Sequence, residues 1–191
     1  MNICVYGASS DAIDRDYIEQ GECLGKELAR RGHGLVFGGG AQGMMGAVCR
    51  GAFAERGYIL GIAPGFFRVD GVLSEDCTEF ITTETMRDRK ELMERRADAF
   101  VMTPGGIGTF EEFFEILTLK QLGRHNKPIA ILNTRGYFDP LLEAVEQAIG
   151  QGFMKTACRS LYQISESPTA LLDYLEQYQA EKLDVRHLKN I

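Results

Sequence analysis

The stretch Ala99-Phe100-Val101-Met102-Thr103-Pro104-Gly105-Gly106-Ile107-Gly108-Thr109 joins an apolar run to a turn that contains three glycines. The apolar residues at its start predict a buried strand, and the residues from 109 to 122 predict a helix. Glycines between a strand and a helix let the backbone approach a ligand closely, and the start of the helix presents N–H groups and partial positive charge. The stretch therefore predicts one strand–turn–helix unit of an α/β protein, with a site for a phosphate or another anion.

Apolar runs and amphipathic stretches alternate along the rest of the chain, which predicts a parallel sheet with helices on both faces. The predicted strands are Asn2–Tyr6, Gly34–Phe37, Tyr58–Ile62, Ala99–Met102, Ile129–Leu132 and Leu161–Ile164. The predicted helices lie near residues 12–31, 43–56, 84–97, 109–122, 137–150 and 167–181. We expect one domain over residues 1–183 and a polar, frayed tail over residues 184–191.

Residues 63–81 form the one long connection that the pattern predicts to be irregular, and they are rich in glycine and acidic residues. Two interpretations stay open for this segment. It is either a lid over the edge of the sheet where such folds bind ligands, or a plain surface loop.

The composition excludes several classes of protein. The chain has 191 residues, of which 45% are hydrophobic and 25% charged, as in a globular protein. Its net charge of −6 argues against a nucleic-acid partner. No apolar run is long enough to span a membrane, and no signal-peptide pattern is seen. Five scattered cysteines indicate reduced thiols and a cytoplasmic location, and three widely separated histidines give no metal-ligand spacing.

Two further predicted strands end in turns that are rich in glycine. Gly7-Ala8-Ser9-Ser10 follows the first strand, and Gly38-Gly39-Gly40-Ala41-Gln42-Gly43 follows the second. The carboxyl ends of parallel strands lie at one edge of a sheet, so these turns and residues 104–109 are expected to lie together. Each turn alone is equally typical of a tight turn that needs glycine for its geometry. Three such turns at one edge favour a site for a phosphate or a nucleotide.

Residues 38–43 also match G-x-G-x-x-G, the fingerprint of a dinucleotide site. That site requires an acidic residue at the end of the next strand to hold the ribose hydroxyls. The next predicted strand is followed by Ala63-Pro64 and has no acidic residue there. We therefore reject NAD as the ligand.

The predicted helix over residues 84–97 carries two basic residues on or beside its apolar face. At about 100° per residue, Met86, Lys90, Met93 and Ala97 share that face, and Arg89 lies at its edge. Burying an unpaired charge costs on the order of several kcal/mol, so such residues usually have an anionic partner. For Lys90, a stem packed on the protein with its head in water is an equal alternative. For Arg89 we favour function, because a guanidinium suits bidentate contacts to phosphate or carboxylate.

The helix predicted after Thr109 contains a carboxylate between its two faces. Its predicted core face consists of Phe110, Phe113, Phe114 and Leu117. Glu112 lies between that face and the solvent side, so it is the first-turn acid expected to be partly buried. Thr109 and Glu112 also match a capping box, S/T-x-x-E, which is the alternative role for this carboxylate. A capping Glu would still lie beside a ligand of the glycine turn, so the two roles are compatible.

Ile116 and Leu119 form a second apolar strip on the same predicted helix. A helix with more apolar surface than one core needs often pairs with another subunit. The strip predicts a homodimer, and burial under a neighbouring helix of the same chain is the alternative.

Taken together, these residues resemble the LOG (LONELY GUY) family, the cytokinin riboside 5′-monophosphate phosphoribohydrolases. Residues 104–112 match the family hallmark PGGxGTxxE at every fixed position. Residues 86–93 resemble its second signature, MHxRKxxM, with Arg87 where the family usually has His. Residues 7–10 and 38–46 match the CGSS and GGGxxGLMG elements in part, and the resemblance covers roughly residues 1–180.

The resemblance implies a Rossmann-like, doubly wound sheet and a protein that is dimeric or larger. It implies hydrolysis of the N-glycosidic bond of a purine nucleoside 5′-monophosphate, plain or N6-modified, to free base and ribose 5-phosphate. Members are often labelled lysine decarboxylases, but no lysine here has a context typical of a pyridoxal phosphate site. We expect neither a cofactor nor a metal.

Within this reading, Arg89 and Glu112 are the expected catalytic residues. Glu112 would stabilise the positive charge that develops at C1′ of the ribose and activate water, and Arg89 would position Glu112 and hold it ionised. The expected contacts of the 5′-phosphate and the rest of the substrate are Ser9, Gly40, Met86, Lys90, Gly105, Gly106, Ile107, Gly108 and Thr109. A non-catalytic nucleotide or cofactor carrier on the same fold is the alternative, and the acidic net charge disfavours a DNA-processing protein.

Overall fold

The computed structural model describes residues 1–180 and 184–189, and seven strands within them form one sheet. The strands are β1 (Asn2–Tyr6), β2 (Gly34–Phe37), β3 (Ile59–Pro64), β4 (Glu79–Thr83), β5 (Ala99–Met102), β6 (Ile129–Leu132) and β7 (Gln163–Ser165). Their order across the sheet is β4-β3-β2-β1-β5-β6-β7, and every neighbouring pair is parallel. The predicted α/β class and parallel sheet are confirmed.

Helices cover both faces of this sheet. They are α1 (Arg15–Arg30), α2 (Gly43–Ala54), α3 (Met86–Arg96), α4 (Ile107–Gln121), α5 (Asp139–Gly150), α6 (Pro168–Gln177) and α7 (Val185–Leu188). The core on one face contains side chains of α1, α2 and α6, and the core on the other face contains side chains of α3, α4 and α7. The doubly wound arrangement is therefore confirmed.

The chain reverses its direction of winding at β1. From β1 it proceeds outward to β4 at one edge, and it then returns through α3 to β5 on the other side of β1. The connections that leave the carboxyl ends of β1 and β5 therefore diverge and open a crevice between them, which is where open α/β sheets bind ligands.

The unbroken apolar runs of the central strands are explained by burial on both faces. In β1, Ile3 and Val5 pack into the core on the α1 side, whereas Cys4 and Tyr6 pack into the core on the α3 side. A strand that must be apolar on both faces loses the alternation of an amphipathic strand. This is why the runs of β1, β2, β5 and β6 were placed at their correct bounds from the sequence.

The sequence prediction missed β4, which lies partly inside the predicted irregular connection of residues 63–81. This strand is at the edge of the sheet and its residues are only half-buried or exposed. Its apolar residues are only Phe80 and Ile81, between Glu79 and two threonines, so it lacks the longer apolar run that identified the central strands. The ring of Phe80 lies against Gly61 of β3, where an added Cβ would be only 2.7 Å from the ring.

Helix α4 faces the core with a different side from the one predicted. Phe113 and Leu117 are buried as expected, but Phe114 is 37% exposed, and Ile116 belongs to the core of this chain. The buried positions of α4 follow one stripe of Thr109, Glu112, Phe113, Ile116, Leu117 and Lys120. Ile116 is buried within its own chain, which was the alternative to a subunit contact, so this strip no longer supports a dimer.

The C-terminal segment is less frayed than expected. In α7, Leu188 is buried in the core, and its backbone oxygen accepts hydrogen bonds from the Gln121 amide at 3.1 Å and the Cys158 thiol at 3.2 Å. The predicted domain limit at residue 183 and the last two residues of the tail lie outside the described residues.

Among the described helices, none combines the length and the apolar character needed to cross a membrane.

Candidate active site

A cavity of about 600 Å³ opens at the reversal point of the sheet, within the size range of small-molecule sites. It is surrounded by the turns after β1, β2 and β5, the start of α4, one side of α3 and part of residues 63–81. Its lining consists of Gly7, Ala8, Ser9, Ser10, Gly38, Gly40, Gln42, Met45, Phe67, Val72, Leu73, Met86, Arg89, Gly106, Ile107, Gly108, Thr109 and Glu112. The three glycine turns therefore meet at one edge, as predicted.

A buried ion pair lies in the lining of this cavity. Arg89 Nη1 is 2.8 Å from Glu112 Oε1, and the two side chains are only 8% and 9% exposed. Arg89 Nε also donates a hydrogen bond of 3.2 Å to the backbone oxygen of Ile62, at the carboxyl end of β3. The guanidinium is thus held from two directions, and it presents its charge to the carboxylate on the neighbouring helix.

The start of α3 gives Arg89 its position. Thr85 caps this helix, with its hydroxyl accepting from the Asp88 N–H at 3.1 Å and the Asp88 carboxylate accepting from the Thr85 N–H at 3.1 Å. This reciprocal capping box starts the helix so that Arg89 points into the fold together with Met93. The buried stripe of α3 therefore contains Arg89 itself, whereas Met86 is half-exposed at the rim of the cavity.

The turn after β2 leaves room for the guanidinium. A Cβ added to Gly38 would lie 2.2 Å from Arg89 Nη2, so only glycine allows the arginine to occupy this place.

We expect Gly38→Ala to lower kcat/KM about 10²-fold, because the methyl group would displace the guanidinium from Glu112 by a fraction of an ångström or more. Steady-state kinetics of the base release that the family resemblance implies measure this. Gly150→Ala is the matched control, because an added Cβ there meets no atom of residues 1–180 and 184–189 within 4 Å. A Gly38→Ala variant with wild-type kcat/KM would show that the position of Arg89 does not matter for the reaction.

The burial of Glu112 changes its acidity. Burial raises the pKa of the Glu112 carboxyl above its ordinary value, and the neighbouring Arg89 charge opposes this effect without cancelling it. Removal from water has the larger effect because an ion loses its hydration shell in the interior. That Arg89 helps to keep this carboxylate ionised stays a prediction.

This shift predicts the acid side of the pH–rate profile. If the ionised carboxylate is the active form, activity falls as pH drops through the raised pKa. The acid limb of kcat/KM is then expected above the ordinary glutamate value of about 4.3. Initial rates of base release between about pH 4 and 8 test this. An acid limb at or below the ordinary glutamate value would contradict it.

Helix α4 begins earlier than predicted, and its start has no side-chain cap. Gly106 is the N-cap residue and Ile107 the first helical residue, so Thr109 lies in the first turn. The predicted capping box of Thr109 and Glu112 is therefore wrong, because the helix already starts at a glycine that has no side chain to offer. The first N–H groups of the helix are left for a ligand, which is the arrangement of an anion site.

Close packing requires glycine at one position of this turn. A Cβ added to Gly105 would lie 2.1 Å from Thr109 Oγ1 and 2.9 Å from the backbone nitrogen of Ala8. At Gly106 and Gly108 an added Cβ would meet no atom within 4 Å in the part of the chain that the structure describes. Side chains at these two positions would therefore be accommodated by the protein, but they would occupy space beside the cavity.

Backbone hydrogen bonds tie the glycine turns to one another. The Ala8 N–H donates to the Pro104 oxygen at 3.0 Å, and the Met45 N–H donates to the Ala8 oxygen at 3.1 Å. The Gly43 N–H donates to the Asp11 carboxylate at 2.7 Å. The turns after β1, β2 and β5 therefore form one connected wall of the cavity.

Residues 63–81 cover part of the cavity, which favours the lid interpretation over a plain surface loop. The Ala41 N–H donates to the Val72 oxygen at 3.0 Å, and the Ser74 N–H donates to the Gly39 oxygen at 2.8 Å. These bonds attach the segment to the turn after β2. The lining residues Phe67, Val72 and Leu73 come from this segment, and no motif in the sequence identified them. Their only signal was the unusual length of the connection.

Most of the predicted site residues line the cavity, but two do not. The lining includes Ser9, Gly40, Met86, Arg89, Gly106, Ile107, Gly108, Thr109 and Glu112. Gly105 lies behind the turn, and Lys90 faces a separate cavity of about 340 Å³ on the other side of Glu112. Lys90 contacts Glu111 and lies 2.9 Å from Glu115, so its anionic partners are on helix α4 rather than on a substrate.

No group of three or more His, Cys, Asp and Glu side chains in residues 1–180 and 184–189 is arranged to hold a metal ion.

Comparison with known proteins identifies relatives of this chain. A family model described as "Possible lysine decarboxylase" matches residues 45–175. The chain is 38% identical over 176 residues to cytokinin riboside 5′-monophosphate phosphoribohydrolase LOG2 of Arabidopsis thaliana, covering 92% of this chain and 83% of that protein. It is 39% identical over 181 residues to cytokinin riboside 5′-monophosphate phosphoribohydrolase LOG of Oryza sativa subsp. japonica, covering 94% of this chain and 74% of that protein.

Among solved structures, the molybdenum cofactor binding protein from Rippkaea orientalis superposes with a TM-score of 0.71 at 22% identity, over 92% of this chain and 94% of that one. At this identity the likeness shows a shared fold alone. The sequence relatives are closer and extend over nearly the whole chain. By these relatives and by the complete PGGxGTxxE motif at residues 104–112, the chain belongs to the LOG family.

Proposed function

We propose that this protein hydrolyses the N-glycosidic bond of a purine nucleoside 5′-monophosphate and releases the free base and ribose 5-phosphate. The observation that carries this proposal is the buried Arg89–Glu112 pair in the same cavity as the uncapped start of α4. The start of α4 attracts an anion, and the Glu112 carboxylate attracts a cation. The substrate offers both: a 5′-phosphate and, during bond cleavage, a positive ribose ring. The names of the sequence relatives support the same activity.

The 5′-phosphate is proposed to bind the first N–H groups of α4, from Gly106 to Thr109. Partial positive charge at a helix start favours a dianion, and glycine at positions 106 and 108 leaves the backbone accessible. This placement brings the ribose over the second turn of the helix, toward Glu112.

Glu112 is the proposed catalytic residue. As the bond from C1′ to the base nitrogen breaks, positive charge develops at C1′ and the ring oxygen, and a carboxylate stabilises it. The same carboxylate accepts a proton from water as the water oxygen bonds to C1′. The departing base takes up a proton from solvent, and Glu112 then returns its own proton to solvent. Arg89 orients the carboxylate through the 2.8 Å contact and opposes its protonation.

The test is to incubate the purified protein with adenosine 5′-monophosphate and with isopentenyladenosine 5′-monophosphate. Chromatography follows the free base, and a second assay follows ribose 5-phosphate. We expect equal amounts of both products, and the ratio of the two rates gives the preferred base. The same assay with unphosphorylated adenosine is expected to be far slower, because the phosphate contacts are missing.

A non-catalytic nucleotide or cofactor carrier on the same fold is the alternative outcome. It would bind a nucleotide tightly and release no base from either nucleotide, or from the guanine, cytosine and uracil nucleotides. Mass spectrometry of the ligand retained by the purified protein would then identify its cargo.

We also propose that the protein acts on adenosine 5′-monophosphate and forms a homodimer. Its proposed location is the cytoplasm, with no nucleic-acid or membrane partner. The homodimer rests on the family resemblance, because Ile116 is buried within its own chain. Light scattering at micromolar concentration tests it, and a monomeric mass would contradict it.

A further inference from the structure

A tyrosine outside the cavity lining donates a hydrogen bond to the glycine turn at residues 104–109, called here the phosphate turn because the 5′-phosphate is proposed to bind there. Tyr137 follows a short 3-10 helix (Thr134–Gly136) after β6, and its hydroxyl donates a hydrogen bond of 2.8 Å to the backbone oxygen of Gly105. Gly105 is the residue immediately before the N-cap of α4. Tyr137 lies 32 residues further along the chain, so the bond joins the turns after β5 and β6 at the same edge of the sheet.

The hydrogen bond to the Gly105 oxygen also sets the direction of the Gly106 N–H group, because both groups belong to one planar peptide. In a planar trans peptide, the C=O of one residue and the N–H of the next point in opposite directions. A hydroxyl that holds the Gly105 oxygen on the side of Tyr137 therefore directs the Gly106 N–H to the other side. The lining agrees with this, because Gly106 faces the cavity and Gly105 does not.

On the side that faces the cavity, no side chain in the described part of the chain packs against the glycines of this turn. A hydrogen bond from the other side is therefore needed to fix the peptide between Gly105 and Gly106. No heavy atom of the described residues lies within 4 Å of a Cβ built on Gly106 or Gly108, and glycine at these positions adds backbone freedom. Gly106 is itself the N-cap residue of α4, and it makes no side-chain hydrogen bond to the first turn. The hydroxyl of Tyr137 supplies a fixed contact at the point where the turn enters the helix.

Tyr137 is 39% exposed, and hydrogen bonds of its neighbours fix the turn that carries it. The Asn133 side chain donates to the Asp139 carboxylate at 2.8 Å and accepts from the Phe138 N–H at 2.8 Å, which closes the turn around the tyrosine. The Tyr137 ring packs edge-on against Tyr17, with 5.9 Å between ring centroids.

The neighbouring Arg135 has a left-handed backbone with φ of 56°, which is unfavourable for a residue with a side chain. Its guanidinium lies 2.8 Å from Asp14 and 3.1 Å from Asp16, and these ion pairs attach the strained turn to the start of α1.

We infer that Tyr137 is a positioning residue that orients the Gly106 N–H toward the 5′-phosphate and thereby sets the affinity of this site for phosphorylated ribose. This inference rests on the proposed function, since it assigns a role to the phosphate turn of that site. The hydroxyl touches no reacting atom, so its loss acts on binding and leaves the bond-breaking step in place.

Tyr137→Phe tests the inference, because it removes one oxygen and keeps the ring. We expect the KM for adenosine 5′-monophosphate and the dissociation constant of ribose 5-phosphate to rise about five- to tenfold, as for the loss of one well-placed hydrogen bond, with kcat within about twofold of wild type. Tyr58→Phe is the matched control: it removes a tyrosine hydroxyl that donates to Glu79 at 2.6 Å, outside the cavity. Thermal melts of both variants report folding.

The outcomes separate this inference from the proposed function. If wild type releases no base but binds ribose 5-phosphate, the proposed hydrolysis fails, and calorimetry with ribose 5-phosphate still tests Tyr137. An unchanged affinity in Tyr137→Phe, an equal loss in Tyr58→Phe, or a fall in kcat alone would overturn the role of Tyr137. A wild-type protein that does not bind ribose 5-phosphate would overturn it too.

Discussion

Glu112→Gln is expected to lower the turnover of base release by about 10²- to 10⁴-fold while the protein stays folded. The amide has the shape of the carboxylate and still accepts a hydrogen bond from Arg89, but it has no negative charge to stabilise the ribose cation and does not take a proton from water. The KM is expected to change little, since the 5′-phosphate contacts lie at the start of α4. Single-turnover rates with adenosine 5′-monophosphate separate the bond-breaking step from binding.

Glu111→Gln is the matched control for this variant. Glu111 precedes Glu112 on the same helix, but it is exposed, pairs with Lys90 and does not line the cavity. Its rate is expected within a few-fold of wild type. If Glu112→Gln also stays within a few-fold while its melting temperature is unchanged, Glu112 is not the catalytic carboxylate.

Arg89→Gln is expected to give the second-largest effect, and its signature is a change in the pH profile. The Arg89 charge opposes the burial that raises the pKa of Glu112. Without that charge, the pKa rises further, and a larger fraction of Glu112 is protonated near neutral pH. We therefore expect the rate at neutral pH to fall about 10²-fold or more and to recover in part as the pH is raised.

Arg95→Gln controls for the loss of a positive charge on the same helix, because Arg95 is exposed and does not line the cavity. Arg89→Lys adds a second measurement. A lysine keeps the charge, but it lacks the planar fork that reaches both Glu112 and the Ile62 oxygen. A wild-type pH profile in Arg89→Gln would mean that the ion pair does not govern the ionisation of Glu112.

Much of the fold could be predicted because the central strands are buried on both faces. Four apolar runs gave the bounds of β1, β2, β5 and β6, and the glycine turns after β1, β2 and β5 indicated the edge where they meet. The edge strand β4 was missed because it is half-exposed and its composition is mixed. A five-residue segment with only two apolar residues does not distinguish a strand from a loop.

The sequence by itself determined the α/β class, the glycine turns and, through the PGGxGTxxE motif, the family of the protein. These features depend on residues that are close together along the chain. Only the tertiary structure decided that α4 starts at Ile107, that Lys90 pairs with Glu115 on α4, and that Tyr137 holds the Gly105 oxygen. The contacts of Lys90 and Tyr137 join residues more than twenty positions apart, and the way in which the helices pack on the sheet sets their geometry. Local propensity carries no information about that packing, which is why the partners of Lys90 and Tyr137 became visible only in the folded chain.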